Sequence, residues 1–569
     1  MNQTTPVAEN GVLSALKAQI DGGRMMATLG ELARWIKLSG SPEERESLDF
    51  VRAQMAALGF DTEIILHDAF ISLPGAASLR IGARDVTCIT HSMSPATGAQ
   101  PVVGDVIDLG TGSDADFAAQ NVAGKLLLIT GIATPGVAER ASRACALGVI
   151  QTSPHRHIHE MCISPVWGNP SLETVANLPR CPFVSVSQAD GDAIRADLAR
   201  GPLTATMTTA VDTGWRKTPI LVAQMDVAED NEPFVLFSGH HDTWHYGVMD
   251  NGSANATMIE VARVCAQERH LWRRGLRICF WSGHSHGRYS GSAWYADEHW
   301  HELNRRCVAH VNIDSPGGVG AGNLANTGVM TELRPLAAGA IMAEAGQALA
   351  GKRKARSADE SFQGIGIPSL FGSLSGQTAL EPGMRNALGW WWHTPDDLLD
   401  KIDEANLCRD ARVVLEVLWR LLSDEVLPLD EAGKAAELHT QLATLTTELN
   451  YRFSLQDLTA QAQHLVQSLL TLQDPQHALP PGQINAALMA VSRVLVPLDY
   501  TYGNRFAHDP ATQVPAWPLL APLRRLAAAD HQGQDHRWHL ARVSAVRARN
   551  QLAYQLAQAQ AAVDDALNG

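Results

Sequence analysis

The sequence predicts an α/β fold with a mixed, largely parallel sheet, interrupted by a β-rich insert and followed by a helical bundle. Three observations indicate this fold. Residues 216–425 alternate apolar runs of strand length with helical patterns, which is typical of a parallel sheet covered by helices. Residues 76–213 hold short strands separated by turn residues, and the strand patterns end after Pro428. At 569 residues, the chain is too long for one hydrophobic core.

We therefore expect four segments. Residues 1–75 begin the α/β domain, and residues 76–213 form the insert. Residues 214–428 complete the α/β domain, and residues 429–569 form the helical domain. Because helical bundles commonly pack against other helices, we expect a homodimer formed through the last segment.

The first well-marked helix begins at Ser41. Ser41, Pro42 and Glu44 supply an N-cap, a proline at the first helical position and a capping box. Apolar residues then recur at helical spacing, namely Leu48, Val51, Met55 and Leu58. Gly59 can take the left-handed conformation that ends a helix. The pattern therefore predicts a helix that begins at Pro42 and ends before Gly59.

The other elements follow from the same periodicities. In the insert we expect strands within 122–129, 148–150 and 182–187, and a helix at 141–147. In the α/β domain we expect strands at 234–237, 276–281, 308–313 and 368–371, and helices at 253–267, 292–303, 333–349 and 406–422. In the helical domain, one apolar face comprises Leu455, Leu458, Ala462, Leu465 and Leu469.

The composition excludes several classes of function. A formal net charge of −15 argues against a nucleic-acid-binding surface. No stretch approaches the ~18 consecutive apolar residues of a membrane span, and the N-terminus lacks the pattern of a signal peptide. The eight scattered cysteines fit reduced thiols, so we expect a cytoplasmic protein. The short basic cluster at 352–356 is expected to be a solvated loop.

Metal-ligating residue types stand where strands end. His240 and Asp242 follow the strand at 234–237, and Asp250 comes just before the next helix. Neutral imidazole and ionised carboxylate suit Zn²⁺, and Asp242 is expected to orient His240. The alternative is that Asp250 caps a helix and His240 is a hydrogen-bonded core residue.

Two further clusters occupy the same topological place. Asp314 ends the strand at 308–313, and His393 precedes a proline turn. Ligands of such sheets gather beyond the carboxyl ends of the strands. The ordered recurrence of these residues favours a metal centre over a set of unrelated caps.

The motifs resemble those of the co-catalytic zinc peptidases, which include bacterial aminopeptidases and glutamate carboxypeptidase. The matching segments are Gly239-His240-His241-Asp242, Asp250, Asn312-Ile313-Asp314, Ala358-Asp359-Glu360-Ser361-Phe362 before Gly366-Ile367-Pro368, and His393-Thr394-Pro395-Asp396-Asp397. The resemblance implies an aminopeptidase-type α/β/α sandwich, a protease-associated insert and a helical domain arranged as in the transferrin receptor. It also implies that His240 and Asp314 hold one metal, that His393 holds another, and that Asp250 bridges them.

The chain departs from this family at one point. Where relatives carry two adjacent glutamates, a general base and a metal ligand, this chain has His284-Ser285-His286. One interpretation makes one of the two histidines, His286 in our assignment, the replacement ligand and the other the general base. The second interpretation is a mononuclear enzyme, and the third is a chain without catalysis.

Other residues are weaker candidates. Arg288 and Tyr289 are candidates for holding a substrate carboxylate or an oxyanion, and Trp392 for lining an apolar pocket beside His393. The alternation of His155, His157 and His159 predicts an extended strand with three imidazoles on one face.

Together these features predict a metal-dependent hydrolase that cleaves an amide bond of a small peptide or N-acyl amino acid, using one or two Zn²⁺ ions. His284, His286 and Asp242 are the predicted catalytic residues. The alternatives are a cyclising acyltransferase of the glutaminyl cyclase kind and a non-catalytic binding or scaffold protein.

Overall fold

The structure is a computed structural model that describes residues 7–227, 232–351, 353–354, 356–378, 387–529 and 536–569. Within these residues, twelve strands form one extended sheet. The strands are β1 Asp61–Ile81, β2 Arg84–Val86, β3 Ile89–Thr90, β4 Val102–Asp108, β5 Leu126–Thr130, β6 Gly148–Thr152, β7 Phe183–Val186, β8 Thr204–Met225, β9 Phe234–His240, β10 Gly275–Trp281, β11 Cys307–Asp314 and β12 Ser369–Ser373.

The α-helices surround this sheet and continue beyond it. They are α1 Val7–Lys17, α2 Gly22–Leu32, α3 Pro42–Ala57, α4 Asp114–Ala119, α5 Pro135–Arg143, α6 Gln188–Leu198, α7 Ala254–Gln267, α8 His284–Gly287, α9 Ser290–Glu298, α10 Trp300–Arg306, α11 Arg334–Ala345, α12 Glu404–Ser423, α13 Glu431–Leu449, α14 Gln456–Leu472, α15 Pro481–Tyr500, α16 Ala521–Ala528 and α17 His536–Asn568. None of these described helices is long and apolar enough to span a membrane.

The α/β domain has the predicted mixed, largely parallel sheet. Strands β12, β11, β9 and β10 are parallel, and β8 and β1 add antiparallel strands beside β10. All residues of β9, β10 and β11 are buried, which explains their nearly continuous apolar sequences. Helices cover both faces, α7 and α12 on one and α9 and α10 on the other. The fold class expected from the sequence is therefore confirmed.

A long two-stranded ribbon connects the insert to the α/β domain. Strands β1 and β8 pair antiparallel from Asp61↔Gln224 to Ile81↔Ala205, and the register shifts once between Pro74 and Ala77. Strand β8 pairs with β10 in the α/β domain and with β4 in the insert. The predicted boundaries near residues 76 and 213 therefore fall within a continuous ribbon.

The start of α3 follows its sequence signals closely. The Ser41 hydroxyl accepts a hydrogen bond from the Glu44 backbone N–H at 3.1 Å, and Pro42 is the first helical residue. The Glu44 carboxylate accepts a hydrogen bond from the backbone N–H of Gly40 rather than from that of Ser41. Gly59 has a φ of 88° just after the helix. The predicted helix is confirmed.

The helical domain also agrees with its pattern. The five apolar residues predicted on one face of α14 are all buried, and they pack in the same core as α13, α15 and α17.

In the α/β domain, the single helix predicted at 292–303 is instead two helices, α9 and α10, separated at His299.

For the described part of the basic cluster, which includes Lys354 and Arg356, the expectation of a solvated loop is wrong. Lys352 lies outside the described residues. Lys354 is buried, and its Nζ lies 2.9 Å from a carboxylate oxygen of Glu360. The Arg356 guanidinium lies 3.9 Å from the ring centre of Trp167 and donates a hydrogen bond to the Pro510 carbonyl. A carboxylate, an aromatic ring and backbone carbonyls compensate these charges for the loss of water.

Candidate metal centre

Three candidate residues lie at the carboxyl ends of neighbouring parallel strands. His240 ends β9, Asp314 ends β11, and His284 begins α8 shortly after β10. The strand order β11–β9–β10 brings them to one edge of the sheet. One ligand atom from each lies within 4.8 Å of the others, the one such group of three in the described part of the chain.

Asp250 reaches the same place from the loop between β9 and α7. The Asp397 carboxylate accepts hydrogen bonds from the backbone N–H groups of Met249 at 2.9 Å and Asp250 at 3.0 Å. The Asn251 side-chain amide donates to the carbonyl of Ile313 in β11. The peptide bond between Asp250 and Asn251 is cis. These contacts hold the Asp250 loop against β11 and the segment after His393.

The His240 ring is oriented for a metal ion. Its Nδ1 donates a hydrogen bond to the Asp242 backbone carbonyl, 2.8 Å away, which leaves a lone pair on Nε2 in the neutral ring. Nε2 lies 3.0 Å from Asp250 Oδ1 and 3.9 Å from Asp314 Oδ2. Two ligand atoms of a tetrahedral zinc ion lie about 3.3 Å apart. The separation from His240 to Asp250 is close to this value, and the separation to Asp314 is longer.

His393 is oriented in a similar way. Its Nδ1 donates to the Glu160 backbone carbonyl at 2.6 Å, and its Nε2 lies 3.0 Å from Asp250 Oδ2. The Trp392 ring stacks on the His393 ring with centres 3.5 Å apart. Asp250 thus has one imidazole at each carboxylate oxygen. Among the residues that the structure describes, Asp250 is the only carboxylate within ion-pair distance of His393.

The charges in this cluster depend on one another. Burial lowers the pKa of His240, but its hydrogen bond with Asp250 and the nearby carboxylates outweigh burial and raise the pKa to about 10. Burial raises the pKa of Asp250, but the hydrogen bonds from His240 and His393 hold it well below its ordinary value. Burial and the charge of Asp250 raise the pKa of Asp314. A divalent cation is a natural partner for such a buried group of carboxylates.

His284 lies beside the metal position rather than around it. Its ring stacks on the His240 ring, with centres 3.6 Å apart and planes 13° apart. The lone pair of an imidazole nitrogen lies in the ring plane, so an ion in the plane of His240 lies well outside the plane of His284. The distances alone would allow the two rings to share an ion. The nearly parallel stack of the two rings argues against a shared ion.

The structure places His286, the expected replacement metal ligand, away from His240 and Asp314. His286 is buried, its Nδ1 lies 3.0 Å from the Ser39 hydroxyl, and its ring packs against Trp244. It does not belong to the group whose ligand atoms converge. Burial lowers its pKa to about 4. The turn of α8 directs this ring toward Ser39 while His284 faces His240.

Asp242 acts differently from the expectation. Its backbone carbonyl, rather than its carboxylate, accepts the hydrogen bond from His240. The buried carboxylate instead accepts hydrogen bonds from the backbone N–H groups of His284 at 3.2 Å and Ser285 at 2.9 Å. It also accepts one from the Ser39 hydroxyl at 2.6 Å. Asp242 therefore fixes the start of α8, which carries His284.

The predicted substrate-binding residues border the same centre. Tyr289 is buried, and its ring meets the edge of the His284 ring with centres 4.8 Å apart. The Arg288 guanidinium carbon lies 4.9 Å from the Tyr289 ring centre. Both residues have a positive φ, 49° for Arg288 and 70° for Tyr289. Trp392 borders the opposite side of the centre through its stack on His393.

The insert's three histidines are not on a strand, so that expectation is wrong. The segment 155–159 is irregular, yet His155 and His159 still meet, with their Nε2 atoms 3.0 Å apart. His159 Nδ1 donates to the Trp392 carbonyl, and His157 stacks on Trp390. Contacts with the tryptophan loop, rather than strand pairing, bring these rings together.

Three contacts in the candidate site were not predicted from the sequence. Asp359 pairs with His284, Asp397 holds the Asp250 loop, and Glu160 orients His393. Asp359 and Asp397 lie within the motifs shared with the zinc peptidases. The motif match therefore indicated that both residues belong to the site, but it did not indicate which residues they contact. Glu160 lies in the insert, where no pattern indicated a contact with His393.

Comparison with known proteins gives one family. Residues 221–418 match the model of "Peptidase family M28". Among curated relatives, the "Probable glutamate carboxypeptidase AMP1" of Arabidopsis thaliana is 22% identical over 354 residues, covering 50% of this chain and 50% of that protein. The chain thus spans about half the length of this relative.

Solved structures show the same fold. An aminopeptidase from Aneurinibacillus sp. strain AM-1 is 23% identical, covers 72% of this chain and 95% of its own, and has a TM-score of 0.55. A Peptidase M28 precursor from Shewanella amazonensis SB2B is 19% identical, covers 73% and 97%, and has a TM-score of 0.58. The matched region carries β9 to β11, the Asp250 loop and His393. Within its α/β domain, residues 221–418 of this chain therefore match peptidase family M28, and the solved structures share the fold of this domain.

Proposed function

We propose that the protein is a zinc-dependent hydrolase that cleaves an amide bond in a small peptide or an N-acyl amino acid. The observation that carries this proposal is the position of Asp250 between His240 and His393, with Asp314 at the same sheet edge. The match of residues 221–418 to the model of peptidase family M28, and the fold shared with a solved aminopeptidase, support it. An α/β sheet that carries buried carboxylates and oriented imidazoles at its carboxyl edge suits hydrolysis assisted by a metal ion.

We further propose a single zinc ion held by His240, Asp250 and Asp314. When bound, zinc supplies Lewis acidity toward a carbonyl oxygen and toward water. His393 then acts on Asp250 through the 3.0 Å contact and keeps this carboxylate oriented. By the resemblance, His284-Ser285-His286 stands where relatives carry two glutamates, and no carboxylate replaces them there, which is the main reason for proposing one ion.

The surrounding residues are assigned to the substrate. His284 is the proposed proton acceptor, because it lies beside the metal position and is the converging imidazole not needed as a ligand. Arg288 and Tyr289 are proposed to hold a substrate carboxylate or stabilise an oxyanion. Trp392 is proposed to line the pocket next to His393. The protease-associated character of the insert, the homodimer and the cytoplasmic location stay predictions.

The test combines zinc content with hydrolysis. Purified protein is assayed against aminoacyl amides, dipeptides and N-acyl amino acids, before and after removal of metal by a chelator. We expect zinc in the untreated protein, hydrolysis that chelation abolishes and added zinc restores, and loss of both zinc and activity in His240→Ala. Absence of bound metal, or hydrolysis that survives its removal, would contradict the proposal.

The same assay separates the alternatives. A cyclising acyltransferase would release ammonia from a peptide with an N-terminal glutamine and would leave amide bonds within the peptide intact. A scaffold protein would show no turnover in any assay. Among the described residues, no observation favours either alternative over hydrolysis.

A further inference from the structure

We propose that Asp359 is a positioning residue for His284, so that an aspartate–histidine pair carries out the proton transfer of the proposed hydrolysis. This inference rests on the proposed hydrolytic function. Its starting point is one contact, the 3.0 Å distance between Asp359 Oδ2 and His284 Nδ1. The two residues are 75 positions apart in the chain, so the fold alone creates the pair.

The environment of Asp359 supports this role. Its side chain is only 1% exposed, and the structure gives its second oxygen, Oδ1, no hydrogen-bond partner among the described residues. A buried carboxylate without its full set of donors is costly, and such groups call for a functional explanation. The neighbouring Glu360, by contrast, is engaged by Lys354 and the Ser369 hydroxyl. His284 is therefore the ionic partner that the structure gives to Asp359.

The pairing sets the chemistry of the His284 ring. Nδ1 donates its hydrogen to Asp359, so Nε2 is the basic nitrogen of the neutral ring. The backbone of α8 is itself held by Asp242, which accepts hydrogen bonds from the N–H groups of His284 and Ser285. The ring stacks on His240 and meets Tyr289 at its edge. Carboxylate, backbone and aromatic contacts thus fix both the position and the tautomer of His284.

The proposed step is balanced. As the oxygen of the attacking water bonds to the amide carbon, His284 Nε2 takes a proton from that water. As the carbon–nitrogen bond breaks, the same proton passes to the leaving nitrogen, and His284 returns to its neutral form. Asp359 keeps Nδ1 protonated throughout and stabilises the transient imidazolium. The net result is addition of one water across the amide bond.

Zinc affinity provides the first test, independent of activity. Because the His284 ring stacks on the His240 ring and is proposed to lie outside the metal ligands, His284→Gln and Asp359→Asn should bind zinc within a few-fold of the unaltered protein. His240→Ala should lose most of its affinity. A loss in His284→Gln as large as in His240→Ala would make His284 a ligand and overturn the proposal.

The second test is a double-mutant cycle on kcat. In the natural background, Asp359→Asn should lower kcat about 10–100-fold with little change in KM, as expected when a hydrogen-bonded orienting partner is lost. His284→Glu introduces a carboxylate, as in relatives, but this carboxylate lies next to that of Asp359. In that background Asp359→Asn should raise kcat, because it removes the repulsion between two carboxylates.

The outcomes are separable. Equal losses from Asp359→Asn in both backgrounds, or no loss in the natural one, would overturn the pair. A loss in thermal stability that parallels the loss in kcat in every variant would make Asp359 merely structural and would also overturn it. If the unaltered protein binds zinc but hydrolyses no substrate, the proposed function fails. The zinc affinity of His284→Gln then still shows whether His284 is a metal ligand.

Discussion

His393 donates a hydrogen bond from Nδ1 to the backbone carbonyl of Glu160, 2.6 Å away, and the Glu160 N–H donates back to the His393 carbonyl at 3.1 Å. This two-point contact joins the insert to the centre of the α/β domain. Directly beside it, His159 donates to the Trp392 carbonyl. The insert therefore sets the orientation of a side chain that contacts Asp250.

We predict that His159→Ala lowers catalytic efficiency although His159 contacts no proposed zinc ligand. Without this hydrogen bond, the loop carrying His393 has more freedom, and losing such an outer contact typically costs 10–100-fold in metal affinity or activity, or about 1–3 kcal/mol. Kinetics and zinc titration measure the effect. His157→Ala is the matched control, because His157 stacks on Trp390 rather than holding the Trp392 carbonyl. Equal effects of the two variants would contradict a specific role for His159.

We predict one tightly bound zinc ion per chain. His240→Ala and Asp314→Asn remove proposed ligands, whereas His393→Ala removes a partner of Asp250. We therefore expect the first two variants to lose zinc and the third to retain it with an affinity reduced about 10–100-fold. Metal analysis after dialysis and competition with a chromophoric chelator give both quantities. Two ions per chain, with one lost in His393→Ala, would show that His393 is a ligand.

We predict that the free energy of unfolding falls as the pH decreases from about 6.5 toward 4, in part because of His91. His91 is buried in the insert beside Ser185, and burial lowers its pKa to about 3. In the unfolded chain, His91 binds a proton as the pH falls below about 6.5, whereas in the folded protein it stays neutral down to about pH 3. The contribution of His91 to the free energy of unfolding is therefore present above pH 6.5 and is lost as the pH falls. At pH 4 the loss from this group is roughly 3 kcal/mol.

His91→Gln tests this dependence. The variant should have a flatter stability profile between pH 6.5 and pH 4 in urea unfolding. The control is His270→Gln, because the His270 side chain is 71% exposed and should leave the profile unchanged. An unchanged slope in His91→Gln would mean that His91 is already charged in the folded protein.

We predict that Lys354→Met is strongly destabilising, whereas Lys354→Met combined with Glu360→Gln is much less so. The first variant leaves the Glu360 carboxylate buried without its cation, which costs about 3–5 kcal/mol. The second replaces the ion pair by neutral groups, and the amide that replaces the carboxylate can still bond to the Ser369 hydroxyl. Urea unfolding measures both. Additive losses from the two substitutions would show that the charges do not interact.

Most of the fold follows from local patterns. The strands and helices of the α/β domain were predicted because buried parallel strands read as apolar runs and amphipathic helices repeat at helical spacing. The cap of α3 was visible because capping is a contact between residues three apart. Other expectations failed. The irregular path of 155–159 depends on contacts with Trp390 and Trp392, which are distant in sequence.

The sequence by itself determined the sheet, the helical domain and the residue types at the strand ends, because these depend on periodicity and on the order of motifs. The resemblance of its motifs also indicated that His284-Ser285-His286 stands where relatives carry two glutamates. Only the tertiary structure decided which histidine faces His240, that Asp359 is its partner, and that Glu160 of the insert orients His393. The physical reason is that α8 turns adjacent side chains to different sides, and a hydrogen bond between distant segments exists only once the sheet and insert bring them together.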